Sequence, residues 1–184
     1  MALLSYPDLD ALPKKLRADL IRFEAEHGRP SLVTWMLGWF PPAAEALTGI
    51  GKMRTEGTLP RWFKELLFVT ASQEQGCSYC TGGHSRFLVK EFGFSEQSIL
   101  EMRGGEGDQV TKSQKALVAF VKKMASEPFK AVPADFDALA QLGLDNGVII
   151  EALSMAMTAG FLNTLALALH LEDDVPPDIL DEYF

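Results

Sequence analysis

Apolar residues recur along this chain at intervals of three and four, which is the spacing of an amphipathic α-helix. No alternating pattern of the kind that marks a β-strand persists for more than a few residues. Glycines and prolines interrupt the helical pattern at intervals and divide it into segments of helix length. The pattern therefore predicts an all-α protein.

Nine segments carry this helical pattern. In chain order they run from near Pro13 to His27-Gly28, over Ser31–Phe40, over Ala43–Met53, from Pro60 to Gly76, from the two cysteines to Gly93, from Ser95 to Gly104-Gly105, over Ser113–Ala125, over Pro133–Leu142, and over Asn146–Leu171, before an acidic tail. No stretch between them has the composition of an interdomain linker, so residues 1–184 are expected to form a single helical domain.

The last segment contains the longest uncharged run, 18 residues from Ala152 to Leu169. A membrane-spanning helix needs about 20 predominantly apolar residues and usually has basic flanks. This run includes several polar residues and has acidic flanks, so we expect a helix buried in the core or in a subunit interface. Small residues at every fourth position favour close helix packing; they are Ala152, Ala156, Gly160, Thr164 and Ala168.

Two smaller features allow more than one interpretation. The cluster Trp35, Met36, Trp39 and Phe40 is expected in the core rather than in a pocket. The doublet Gly82-Gly83 lowers helix propensity where a helix is predicted. Room for a substrate and simple close packing explain this doublet equally well.

The charge balance narrows the possible partners. The chain has 17 basic and 25 acidic residues and a net charge of −8. An acidic surface repels phosphate backbones and anionic lipid headgroups, so we expect neither nucleic acid nor membrane as a partner. Charged residues such as Asp8, Asp10 and Lys14 stand where a signal peptide needs an apolar stretch, which predicts a cytoplasmic location.

The chain has two cysteines, Cys77 and Cys80, directly after Gly76. In a cytoplasmic protein such a pair is more often redox-active or metal-binding than structural. If Cys77 stands at the start of a helix, unpaired backbone N–H groups and the helix dipole favour its nucleophilic thiolate form. Cys80 and His84 follow three and seven positions later, on the same helix face.

Glu65 lies in an apolar run of the preceding helix, where a carboxylate costs free energy unless it has a partner. An antiparallel hairpin about Gly76 would bring His84 within its reach. Thiol, imidazole and carboxylate would then form the nucleophile, base and orienting group of an activated thiol. A structural zinc site needs four ligands, and His27 and His170 are isolated in sequence, so we expect no metal and no cofactor.

The string Glu65-x11-Cys77-x2-Cys80-x3-His84 resembles the signature of the alkylhydroperoxidase D/carboxymuconolactone decarboxylase-like family, most closely over Pro60–Ile99. The resemblance implies an all-α fold and an obligate homo-oligomer, whether trimer, dimer or hexamer. In the peroxidase branch it implies thiol-dependent reduction of a small hydroperoxide, with a thiol or dithiol protein as the reductant. Cys80 would attack the O–O bond, Cys77 would resolve the sulfenic acid as a disulfide, and Glu65 and His84 would transfer the proton.

Three points stay open at this stage. The helix-dipole argument favours Cys77 as the attacking thiol, whereas the family resemblance favours Cys80. Tyr79 stands where the peroxidase branch often has histidine, and a phenol is a poor base at neutral pH, so turnover is expected to be slow. The alternatives are a decarboxylase-like enzyme that acts on a small carboxylic acid or lactone through His84 and Glu65, and a non-catalytic redox-sensing module.

Overall fold

A computed structural model describes residues 2–171, and over that range it contains helices and turns but no strand. The predicted all-α fold is confirmed. The α-helices are α1 (Lys14–His27), α2 (Leu32–Met36), α3 (Pro41–Thr55), α4 (Arg61–Glu74), α5 (Ser78–Phe92), α6 (Glu96–Gly104), α7 (Lys112–Ser126), α8 (Pro133–Gln141) and α9 (Asn146–Ala168), with short 3-10 helices at Leu9–Ala11, Leu37–Trp39 and Pro128–Lys130.

Two helix boundaries differ from the sequence prediction for identifiable reasons. Pro41 and Pro42 end the preceding segment, as predicted, but α3 begins at Pro41 and not at the predicted Ala43. Both prolines fit the first turn of α3, where the missing N–H has no intrahelical acceptor in any case. At the other end of the chain, α9 ends at Ala168 instead of Leu171, because His170 adopts a left-handed conformation with φ 55°. The predicted acidic tail lies outside the described residues.

Helix α4 is the centre of the fold. Every residue from Phe63 to Ser72 is buried, including Lys64 and Glu65. Helices α5, α7 and α9 surround it. A helix enclosed on all sides must satisfy each of its charged groups from its neighbours, and both of these charged residues acquire partners from other elements.

Helix α9 packs one face against this centre and leaves the other uncovered by the described residues. By length and composition it could cross a membrane, with a mean hydropathy of 1.5, and 44% of the apolar window lies buried inside the fold. The buried side includes Ala152 and Met155, whereas Ile150, Met157 and Phe161 are exposed. This one-sided burial is typical of a core helix that borders a surface.

The aromatic cluster before α3 is only partly in the core. Met36 is buried and Trp35 is half-buried, with its indole N–H donating to the carbonyl of Pro7 at 2.9 Å. Trp39 and Phe40 are 60% and 64% exposed, so the expectation that they belong to the core was wrong. Trp39 ends the short 3-10 helix before α3, and Phe40 is the N-cap of α3.

A polar network fastens the C-terminal end of α4 to its neighbours. The Ser72 hydroxyl donates to Asn163 of α9 at 3.2 Å, and the Asn163 amide donates to Gln75 at 2.7 Å. Gln75 in turn donates to the carbonyl of Ala125 in α7 at 3.1 Å. Because these side chains are largely buried, the network fixes the turn that leads into α5.

Lys64 and Glu151 form a buried ion pair that joins α4 to α9. The Lys64 ammonium lies 2.5 Å from the Glu151 carboxylate. It also donates to the carbonyls of Met53 and Glu56 at the end of α3. The Lys64 side chain is 1% exposed, so all of its hydrogen bonds must come from these three acceptors.

The carboxylate of Glu151 also holds the loop between α3 and α4. It accepts hydrogen bonds from the backbone N–H groups of Thr58 and Leu59, at 2.9 and 3.0 Å. Burial raises the pKa of Glu151, but Lys64 and the two N–H groups outweigh it and lower the pKa. Gly57 has φ 119°, and any Cβ there would overlap this carboxylate, so the loop requires glycine at this position.

We expect Glu151→Ala to lower the free energy of unfolding at pH 7 by about 3 kcal/mol, since it leaves a buried ammonium without its counter-ion. The matched control is Glu127→Ala, which removes a carboxylate from the exposed pair with Lys130 and should cost less than about 0.5 kcal/mol. Urea unfolding followed by circular dichroism measures both values. Equal effects of the two substitutions would contradict the structural role of the buried pair.

Candidate active site

The turn between α4 and α5 places both cysteines. Gly76 adopts the left-handed conformation, with φ 73°, and its N–H donates to Gln73. The N–H of Cys77 donates to the carbonyl of Ser72 at 2.9 Å, which completes a Schellman motif. The carbonyl of Cys77 then accepts from the N–H of Thr81 at 2.9 Å and opens α5. The prediction that the Cys-x-x-Cys stands at a helix N-terminus is confirmed.

The two thiols have different surroundings. Cys77 is the N-cap of α5 and is 1% exposed, while Cys80 lies one turn further on and is 3% exposed. The structure holds both as thiols and not as a disulfide. Cys80 lines a cavity beside α5, and Cys77 is not among the described residues of its wall.

Glu65 and His84 are in direct contact. Nδ1 of His84 lies 2.8 Å from Oε2 of Glu65, whose side chain is completely buried. The imidazole also packs on the ring of Phe68, with 4.0 Å between the ring centroids. The hairpin of α4 and α5 thus brings the two residues together as the sequence predicted, while their catalytic roles stay predictions.

Arg54 is a member of this cluster that the sequence analysis missed. Its Nε and Nη2 donate to Oε1 of Glu65 at 3.0 and 2.6 Å, and Nη2 lies 3.3 Å from Nδ1 of His84. Arg54 stands in the last turn of α3, outside the motif that identified the other residues. The available signal was indirect: a carboxylate in the middle of a buried helix needs a cation, and α3 ends shortly before α4.

These contacts determine the protonation states of the cluster. Burial raises the pKa of Glu65, but the Arg54 guanidinium and the hydrogen bond with His84 outweigh it and lower the pKa to about 2. Burial and the charge of Arg54 lower the pKa of His84, although Glu65 opposes them. Histidine is therefore neutral here at pH 7. Because Nδ1 must donate to the Glu65 carboxylate, Nε2 is left without a proton and can act as a base.

Beside this cluster lies a cavity of about 350 Å³. The residues that line it are Phe23, His27, Arg29, Ser31, Val33, Thr34, Leu47, Ile50, Gly51, Arg54, Arg61, Tyr79, Cys80, Gly83, His84, Phe87 and Leu162. Most of the apolar ones come from α1, α2 and α3, and the reactive ones from α5. A cavity with apolar walls and a few convergent polar groups is the usual form of a small-molecule site. Among residues 2–171, no group of three or more His, Cys, Asp or Glu is arranged to hold a metal ion.

Tyr79 has a fixed place beside Cys80. Its hydroxyl oxygen accepts a hydrogen bond from the N–H of Leu32 at 3.2 Å, which ties the start of α2 to α5. Burial raises the pKa of Tyr79, while the charge of Arg29 opposes this. The phenol therefore keeps its proton at neutral pH and is no base for the thiols.

Acid unfolding tests the electrostatic cluster. A carboxyl with its pKa lowered from 4.5 to about 2 contributes roughly 3 kcal/mol of stability, which is present above pH 4.5 and is lost as the pH falls toward 2. In Glu65→Gln we expect the free energy of unfolding to lose the decrease below pH 4.5 that Glu65 causes. Arg54→Met keeps the carboxyl but removes its strongest stabilising charge, so we expect this decrease in the free energy of unfolding to become smaller. Urea titrations between pH 7 and 3 measure both; an unchanged slope in Glu65→Gln would contradict the assignment.

Several solved structures share this fold. A peroxidase-related protein with an alkylhydroperoxidase AhpD core from Ralstonia eutropha JMP134 superposes with a TM-score of 0.82 at 20% identity, covering 97% of this chain and 94% of that protein. A peroxidase-related protein from Silicibacter sp. TM1040 has a TM-score of 0.80 at 17% identity, covering 100% and 96%. A cysteine-to-alanine variant of the debrominase Bmp8, in complex with 2,3,4-tribromopyrrole, has a TM-score of 0.79 at 20% identity, covering 99% and 97%.

At these identities the solved structures demonstrate the common fold alone, and no curated protein sequence matches the chain. The sequence itself carries the family signal. Residues 41–121 match the model of the carboxymuconolactone decarboxylase family, and this range includes Arg54, Glu65, both cysteines and His84. Over residues 41–121 the chain is therefore similar to the carboxymuconolactone decarboxylase family, and over most of its length it shares the fold of peroxidase-related proteins with an alkylhydroperoxidase D-like core.

Proposed function

We propose that this protein is a thiol-dependent peroxidase, a disulfide oxidoreductase that reduces hydroperoxides through Cys77 and Cys80. The observation that carries the proposal is that Cys80 and His84 line the same cavity on one face of α5. Glu65 engages Nδ1 of this imidazole, so the unprotonated Nε2 is available to the thiol.

The first step oxidises Cys80. His84 accepts the thiol proton at Nε2, and the thiolate attacks the terminal oxygen of the hydroperoxide. The S–O bond forms as the O–O bond breaks. The leaving alkoxide takes the proton back from the imidazolium, so the products are an alcohol and a sulfenic acid on Cys80.

The second step forms the disulfide. Cys77 attacks the sulfenic acid sulfur, which forms the S–S bond and releases water. A dithiol reductant, which we propose is a small thiol protein, then supplies two electrons and two protons to restore both thiols. Cys77 is one helical turn from Cys80 and is not among the described residues of the cavity wall, which supports it as the resolving thiol.

Two observations support Cys80 as the attacking thiol. Cys80 borders the cavity, whereas Cys77 caps α5 behind it, so a hydroperoxide in the cavity reaches Cys80 first. The hydroxyl of Tyr79 is bound to the backbone of α2, which leaves His84 as the base. This assignment agrees with the family resemblance and departs from the helix-dipole argument.

Intact-mass analysis with thiol trapping tests this reaction. After one equivalent of cumene hydroperoxide, we expect the wild type to lose both thiols. Cys77→Ser should carry a dimedone-trappable sulfenic acid on Cys80, because no resolving thiol is present. Cys80→Ser, the matched variant, should stay reduced on the same timescale. Thiols that stay reduced in the wild type would exclude peroxide reduction.

Turnover assays on the same variants separate the two alternative functions. A decarboxylase-like enzyme predicts activity on a small carboxylic acid or lactone that survives loss of both cysteines. A redox-sensing module predicts a single stoichiometric oxidation and no turnover when dithiothreitol is supplied as the reductant. Continued turnover with dithiothreitol, abolished in Cys80→Ser, is expected only of the peroxidase.

Reductive dehalogenation is a second candidate, favoured by the structural similarity to a debrominase solved with a bromopyrrole. The dithiol would supply the same two electrons: the C–Br bond becomes C–H, bromide and a proton are released, and the two thiols become a disulfide. In the trapping experiment, 2,3,4-tribromopyrrole in place of the hydroperoxide would then release one bromide per disulfide. Thiol loss with the hydroperoxide alone would favour the peroxidase.

We also propose that the exposed face of α9 is the contact surface of a homo-oligomer. Ile150, Met157 and Phe161 are large apolar side chains that the described residues leave uncovered, and such a surface usually marks an interaction site. Met157→Glu should therefore lower the sedimentation mass toward that of the 20.2 kDa chain. Phe129→Glu, a control at another exposed apolar residue, should not. A wild type that sediments as a monomer at every concentration would contradict the proposal.

A further inference from the structure

The cavity beside Cys80 has a charge opposite to that of the protein as a whole. Its lining contains three arginines and, among the described residues, no carboxylate. The complete chain carries a net charge of −8, so this is not an average property of the surface. A local excess of cations in a concave site favours an anionic ligand.

The three arginines have different surroundings. Arg54 is already neutralised by Glu65. Arg61 is exposed and lies over the ring of Phe87, with its guanidinium carbon 4.9 Å from the centroid. Arg29 is half-buried, 5.8 Å from the centroid of Tyr79, and no carboxylate of the described chain lies within ion-pair distance of it. Arg29 therefore has the capacity to bind an anion with both arms of its guanidinium.

Gly83 brings this guanidinium close to the reactive residues. A Cβ at position 83 would stand 2.9 Å from Nη2 of Arg29, which is closer than such atoms approach. Gly83 follows Cys80 by three residues and precedes His84 by one, so it lies on or beside the same helix face. The glycine doublet noted in the sequence thus includes a position that makes room for Arg29 above the first turns of α5.

Apart from Ser31, Thr34 and Tyr79, the wall of the cavity away from the charged and reactive groups is apolar. Phe23, Val33 and Leu47 are among its walls, together with Ile50 and Leu162. These side chains suit an aliphatic or aromatic body of modest size, since the whole cavity measures about 350 Å³. A ligand that fits both the arginine side and the apolar wall of the cavity has an apolar body and one negative charge.

We infer that the substrate is an organic hydroperoxide that carries a carboxylate or a similar anionic group, and that Arg29 binds this group while the O–O bond faces Cys80. The inference rests on the proposed peroxidase reaction. Arg29 is the residue that determines specificity, whereas His84 and Cys80 perform the chemistry. Arg29 also favours the oxidation step. When the anionic end of the substrate is bound, the hydroperoxide group at its other end is held in a fixed orientation toward Cys80.

Matched substrates test the inference. The probes are 4-carboxycumene hydroperoxide and its methyl ester, and the measurement is the second-order rate constant of thiol loss in stopped flow. We expect the wild type to react about tenfold faster with the acid than with the ester, which corresponds to one charge-assisted contact. In Arg29→Gln this ratio should fall to near one. Arg17→Gln, which removes an equal charge from α1 at a residue paired with Asp10, should keep the wild-type ratio.

A second measurement does not depend on peroxide reduction. In Cys77→Ser protein, the remaining thiol is alkylated with iodoacetate, which is anionic, and with iodoacetamide, which is neutral. We expect Arg29→Gln to slow the iodoacetate reaction about tenfold relative to the iodoacetamide reaction. Gly83→Ala displaces the guanidinium but retains its charge. Its ratio of iodoacetate to iodoacetamide rates should therefore lie between those of Arg29→Gln and of the protein with Arg29 intact.

The outcomes separate the two proposals. If hydroperoxides leave the thiols reduced but Arg29→Gln still slows iodoacetate selectively, the peroxidase proposal fails and the anion site stands. If hydroperoxides oxidise both thiols but Arg29→Gln leaves both the acid-to-ester ratio and the iodoacetate rate at wild-type values, the anion site fails alone. A wild type without any preference for the acid would also overturn it.

Discussion

The structure depends on one buried carboxylate. Glu65 lies in the second turn of α4, which other helices enclose, so its charge must be neutralised from outside that helix. Arg54 comes from α3 and His84 from α5, and both meet the same carboxylate. Three helices are therefore held in register by one group. The same contacts leave a neutral imidazole with a fixed tautomer one helical turn from Cys80, so the interaction that orders the fold also sets the protonation state of the base that we propose.

Because Arg54 pairs with Glu65, it is not the arginine that presents an unpaired positive charge to the cavity. Arg54 contributes little net charge there because its guanidinium lies against the carboxylate. Arg29, from the segment between α1 and α2, has no such partner in the described chain and lies over α5. In the function that we propose, the reaction and the recognition of substrate therefore fall to different parts of the chain. Helices α4 and α5 carry Glu65, Cys80 and His84, while residues from α1 to α3 form most of the rest of the cavity wall.

The contrast between the local α4–α5 hairpin and the distant residues of α1 to α3 explains what the sequence could predict. The helices, the α4–α5 hairpin and the contact between Glu65 and His84 follow from local patterns: a helical period, a glycine at the turn and matched distances from it. Arg54 and Arg29 could not be found in this way, because their positions depend on how α1, α2 and α3 pack against a distant part of the chain. The error at Trp39 and Phe40 has the same origin, since apolar composition does not say which residues the rest of the fold will cover.

Peroxidase-related proteins and a debrominase share this fold. Reduction of an O–O bond and reduction of a C–Br bond both draw two electrons from a pair of thiols, so one arrangement of Cys77, Cys80 and His84 is chemically sufficient for either. A fold alone does not choose between them. We propose that the choice comes from the cavity wall outside α5, most of whose residues belong to α1, α2 and α3 or to the segment between α1 and α2. Differences in substrate among proteins of this fold are therefore expected to follow the side chains at the positions of Arg29 and its apolar neighbours more closely than the thiol motif itself.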